Sequence, residues 1–119
     1  MAIILVLDDV FDAGAMVKKI LEKKGYQVVH FTEEEDAIKH VRKNKIDLAI
    51  LDIKLKKMCG IEVLEEMKKI VPDIQAIMLT GYPEMGTASR AAQLGANDYC
   101  IKPIDKDELE EKVKDVLSS

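Results

Sequence analysis

An excess of basic charge is missing from this sequence. Its 119 residues carry 18 Lys and Arg against 22 Asp and Glu, a formal net charge of −4. The overall field therefore offers no attraction to nucleic acid or anionic lipid, and tight DNA binding by this chain alone is not expected. Cysteine is scarce. Cys59 and Cys100 lack C-x-x-C spacing and have no neighbouring His pair, which argues against a disulfide framework and for reduced thiols in an intracellular protein. Long apolar runs are absent too: the start, Met1-Ala2-Ile3-Ile4-Leu5-Val6-Leu7, has no basic leader and meets Asp8-Asp9 too soon for a signal peptide or a membrane span. A cytoplasmic location is the expectation. There is no repeat, low-complexity tract or linker, and the length suits one domain over residues 1–119.

What is present is an alternation. With 48% apolar and 34% charged residues the composition is that of an ordinary globular protein. Five β-rich runs (3–7, 27–30, 48–51, 74–79 and 98–101) alternate with five segments of helical period. Runs one, three and four are almost wholly apolar, as strands covered on both faces must be. Helix one carries Ala13, Val17, Ile20 and Leu21 on one face. Helix two carries Ala37, Ile38 and Val41 behind Thr32-Glu33-Glu34-Glu35, which has capping-box spacing. Helix three has the stripe Leu64, Met67 and Val71 and must stop before Pro72. Helix five has Leu109, Val113, Val116 and Leu117 behind the capping sequence Asp105-Lys106-Asp107-Glu108. Helix four, over 84–94, is built from Gly86, Thr87, Ser89 and alanines, with Gly95 as its stop. Weak anchoring suits a moving element. The order predicts an α/β fold, (βα)5, with a doubly wound parallel five-stranded sheet and helices on both faces.

In such sheets ligands bind beyond the carboxyl ends of the strands. Asp8-Asp9 end strand one, Asp52 ends strand three, Thr80 strand four and Lys102 strand five. Singly, each is an ordinary strand end, turn or cap. Together, three carboxylates within about 5 Å would repel by roughly 3 kcal/mol per pair at an effective dielectric near 20, so the cluster demands a cation or a proton. All-oxygen ligation points to Mg2+ or Mn2+ and not zinc. Metal, lysine and hydroxyl could together meet the equatorial oxygens of a transferring phosphoryl group. Asp52, at the end of the central run, is the best candidate nucleophile, and Asp8 and Asp9 can hold the metal. His30 and His40 receive no role, because neither is placed at this edge.

These residues resemble the response-regulator receiver family of two-component signalling: the acidic pair in Leu5-Val6-Leu7-Asp8-Asp9, the acceptor in Asp52-Ile53-Lys54-Leu55 with Gly60 following, Thr80, and Tyr99-Cys100-Ile101-Lys102-Pro103. The resemblance spans essentially the whole chain and implies a flavodoxin-like, CheY-like strand order 2-1-3-4-5. It further implies Asp9, Asp52 and the Lys54 backbone carbonyl as metal ligands with Asp8 beside them, and Asp52 as the phosphorylation site. Thr80 and Tyr99 become a switch acting on helix four, strand five and helix five, and Lys102-Pro103 a cis bond. The donor would be a sensor histidine kinase or phosphotransfer protein, and the target a downstream protein or output domain. The chain would not be an enzyme beyond self-directed phosphotransfer and autodephosphorylation. One departure is the loop after Asp52, where Lys56 replaces a usual proline and Lys54, Lys56 and Lys57 make a basic run able to alter phosphoryl lifetime or partner choice. Tyr82 is a bulky neighbour able to tune water access. The competing readings are an aspartate-nucleophile phosphatase, which wants an acid where Lys54 stands, and an unphosphorylated receiver-like scaffold. A flavin or nucleotide module is a further rival, which the acidic first loop would repel.

Overall fold

The computed structural model describes residues 2–55, 58–81 and 85–118, with the Met85 side chain left aside. Its elements alternate without exception: β1 (Ile3–Leu7), α1 (Phe11–Glu22), β2 (Gln27–Phe31), α2 (Glu34–Lys43), β3 (Leu48–Asp52), α3 (Gly60–Ile70), β4 (Gln75–Thr80), α4 (Met85–Gln93), β5 (Asp98–Ile101) and α5 (Lys106–Leu117). All strand pairs are parallel, in the order β2-β1-β3-β4-β5. Thr80 and Asp52 turn out to be the last residues of their strands, and Asp98–Ile101 does pair as the fifth strand.

Strand side chains alternate between faces, and this alternation builds two cores. Leu5, Leu7, Ala49, Leu51, Ala76 and Met78 pack with Ala37 and Val41 of α2, Leu64 and Met67 of α3 and Ala91 of α4. Ile4, Val6, Leu48, Ile50, Ile77 and Leu79 face the other way, onto Val17 and Leu21 of α1 and Leu109, Val113 and Val116 of α5. Every one of these is buried, which explains why β1, β3 and β4 read as continuous apolar runs.

Several helix ends follow local chemistry. Asp105 caps α5 by accepting the Glu108 amide at 3.3 Å, and α3 stops at Ile70 before Pro72. Gly95 takes φ +91 after α4, a left-handed conformation that favours glycine. Helix α2 starts at Glu34 with Glu33 as N-cap and no side-chain cap bond. The capping box expected from Thr32 does not form: Glu33 is the N-cap, and Glu34 is buried and accepts the Met58 amide. Of the basic run, Lys56 and Lys57 lie outside the described residues, as do Tyr82 and Glu84.

A candidate phosphoacceptor site at the strand ends

Sheet register assembles the site. Leu7 pairs with Leu51, so Asp8 and Asp52 emerge side by side. Asp52 pairs with Leu79, and Thr80 with Ile101, so Thr80 and Lys102 complete the same rim. Asp8 is 1% exposed, Asp52 6% and Thr80 1%. Asp9 is half-buried, and one oxygen each from Asp8, Asp9 and Asp52 lies within 4.8 Å of the others.

The Lys102 ammonium answers part of this charge. Its Nζ donates at 2.9 Å to Asp8 Oδ2 and at 2.9 Å to Asp52 Oδ2. Burial opposes the Lys102 charge, yet these two bonds and charges outweigh it and hold the ammonium above its ordinary range. Burial pushes the Asp52 carboxyl above its ordinary 3.8, with Asp8 adding to the rise; Lys102 and the Lys54 amide counter it only in part. One ammonium against three carboxylates leaves net negative charge in a poorly solvated rim. That donor set fits a hard divalent cation: it is all oxygen, and oxygens on opposite sides of a Mg2+ ion lie about 4.2 Å apart at bond lengths of about 2.1 Å.

Main-chain bonds hold the acids in place. The Val10 amide donates to Asp8 Oδ1 at 2.9 Å and the Lys54 amide to Asp52 Oδ1 at 3.1 Å. The Ile53 amide donates to Leu79 O at 2.8 Å and the Lys102 amide to Thr80 O at 2.7 Å. Lys102-Pro103 is cis. Gly60 packs directly under the acceptor: a Cβ there would stand 2.1 Å from the Asp52 carbonyl oxygen.

Tyr99 is half-buried against the core on the α4 side, and its hydroxyl is buried with no hydrogen-bond partner among the described residues. Cys100 is buried, and burial pushes its thiol up, away from the reactive thiolate. Two residues are closer to the chemistry than the sequence indicates. His30 pairs with Val6, near the end of β1, so its Nε2 lies 3.3 Å from the Asp8 carbonyl oxygen, with its ring against Phe11 and over Gly14. Contrary to the expectation that it stands away from this edge, His30 ends the run 27–30, and a parallel sheet brings that end to the same rim. Glu34, which the sequence marks only as part of the capping stretch before helix two, is 1% exposed.

Comparisons with known proteins agree with this geometry. The family described as "Response regulator receiver domain" matches residues 4–114. Sporulation initiation phosphotransferase F of Bacillus subtilis is 35% identical over 96% of this chain and 92% of its own length. Transcriptional regulatory protein ZraR of Klebsiella oxytoca is 36% identical over 97% of this chain, which spans only 26% of that longer protein. A solved CheY-like receiver domain protein from Methanospirillum hungatei superposes with TM-score 0.95 at 33% identity, covering 99% of this chain and 94% of its own. With its strand order, its acidic rim and a match over nearly every residue, the chain belongs to the response regulator receiver domain family of two-component signalling.

Proposed function

We propose that residues 1–119 form one receiver domain that accepts a phosphoryl group on Asp52 from a phosphohistidine of a sensor histidine kinase or phosphotransfer protein. The observation that carries the reading is the Lys102 ammonium held 2.9 Å from both Asp8 and Asp52 beside Asp9. Asp9, Asp52, Asp8 and the Lys54 backbone carbonyl would hold Mg2+, for which Mn2+ can substitute; when bound, the ion neutralises charge on the phosphoryl oxygens. The chain's own residues do the rest. An Asp52 carboxylate oxygen attacks phosphorus, the phosphorus–nitrogen bond breaks, and imidazole leaves. The Lys102 ammonium exchanges an Asp52 contact for a phosphoryl oxygen, and the Thr80 hydroxyl, buried at the next strand end, donates to another.

The family resemblance supplies a switch built on Thr80 and Tyr99. Movement of Thr80 toward the phosphoryl group opens space toward Tyr99, whose side chain lies against the core, and repacking there alters the α4, β5 and α5 surface. A downstream protein or output domain reads that surface. The setting is the cytoplasm, and turnover is limited to self-directed phosphotransfer and autodephosphorylation. None of the described helices is long and apolar enough to cross a membrane.

Incubation with acetyl phosphate and Mg2+, followed by intact mass, tests the assignment. One phosphoryl group is expected on the wild type and none on Asp52→Asn. Equal labelling of both proteins, or none of the wild type, would overturn it.

A further inference from the structure

Four polar or charged side chains are buried among the described residues: Asp8, Asp52 and Thr80 at the rim, and Glu34, which the chemistry above leaves unused. A buried carboxylate is costly unless something compensates it. Glu34 occupies the first turn of α2, where free amides and the helix dipole favour negative charge. Its Oε2 also accepts a 3.0 Å hydrogen bond from the Met58 backbone amide, 24 residues further along the chain.

Met58 lies in the segment that leaves Asp52, carries Lys54 and returns to α3. That segment is anchored to the sheet through Ile53 N to Leu79 O, to its own start through Gly60 N to Ile53 O at 2.7 Å, and to α3 through Cys59 N to Glu62 Oε1 at 3.2 Å. The bond to Glu34 adds a tie from the side, to α2. We propose that Glu34 is a positioning residue for the phosphoacceptor site: from α2 it grips the Met58 amide and so fixes the approach to Gly60, whose amide bonds the Ile53 carbonyl next to Lys54 and thereby holds the Lys54 main chain beside Asp52. This rests on the phosphoacceptor reading for its consequence, which is an oxygen ligand placed before the cation arrives and not after.

Reach, and not charge, is what the role requires. Glu34→Gln keeps an acceptor oxygen at the same distance, whereas Glu34→Asp keeps the negative charge but withdraws it by one methylene. Three variants, Glu34→Gln, Glu34→Asp and Glu34→Ala, are compared with wild type by Mg2+ titration calorimetry, by the rate of phosphoryl uptake from acetyl phosphate, and by melting. Near wild-type Mg2+ affinity and uptake are expected for Gln. Asp and Ala should bind Mg2+ more weakly, Ala on the order of tenfold, as when an outer partner of a metal ligand is lost. Wild-type Mg2+ affinity in a folded Asp or Ala variant overturns the proposal, as does a Gln variant weaker than Asp, which would mark a role for charge. If Ala does not fold, the Gln and Asp pair decides. Failure of the wild type to take up phosphoryl sinks the phosphoacceptor reading alone, because the Mg2+ titrations still rank the variants.

Discussion

Lys102 is the residue on which the charge balance of the rim turns. It faces two nearly fully buried carboxylates at 2.9 Å each, so removing it leaves Asp8 and Asp52 confronting one another with little water to screen them. Breaking one side of a buried pair costs about 3–5 kcal/mol, chiefly through the charge left behind. Lys102→Met should therefore lower the unfolding free energy by about 3 kcal/mol in metal-free buffer, measured by urea denaturation. Saturating Mg2+ should restore part of that loss, because a cation that binds only the folded state stabilises it by mass action. An equal deficit with and without Mg2+ would place the source of stability elsewhere.

At the scale of elements, the glycines separate close packing from plain chain flexibility. Gly60 starts α3 against the Asp52 main chain, and a Cβ would meet the Asp52 carbonyl oxygen at 2.1 Å and the Ile53 Cα at 2.8 Å. Both are backbone atoms, so α3 or Asp52 must move. Gly86, in the first turn of α4, is exposed, and a Cβ there meets nothing within 4 Å among the described residues. Gly60→Ala should lose about 1–3 kcal/mol and slow phosphoryl uptake, while Gly86→Ala should gain about 0.5–1 kcal/mol from reduced unfolded-chain freedom. Thermal melts and intact-mass kinetics check both; a tolerated Gly60→Ala with normal uptake would mean that α3 yields without disturbing the acceptor.

Across the whole molecule, stability is unevenly spread. β1, β3 and β4 are covered on both faces, whereas α4 buries Ala91 alone among its described side chains. Local opening is easiest where few apolar contacts are lost. Amide exchange should thus be slowest in β1, β3 and β4 and fastest, among the five helices, in α4. Phosphorylation or beryllofluoride should change α4 protection more than that of α1. Uniform protection across all five helices would remove the basis for α4 as the moving element.

The alternation of apolar runs and helical stripes was enough to determine the architecture, because strands buried on both faces and helices with one apolar face admit few arrangements. It also located Asp8, Asp9, Asp52, Thr80 and Lys102, since a parallel sheet sends all its carboxyl ends to one edge. Tertiary structure alone decided the rest. That Lys102 bridges Asp8 and Asp52, that His30 touches the Asp8 carbonyl and that Glu34 is buried on Met58 are contacts between residues 94, 50, 22 and 24 positions apart in the chain. No local pattern encodes such distances. A glutamate in a helix's first turn reads as solvated until the segment that covers it is seen.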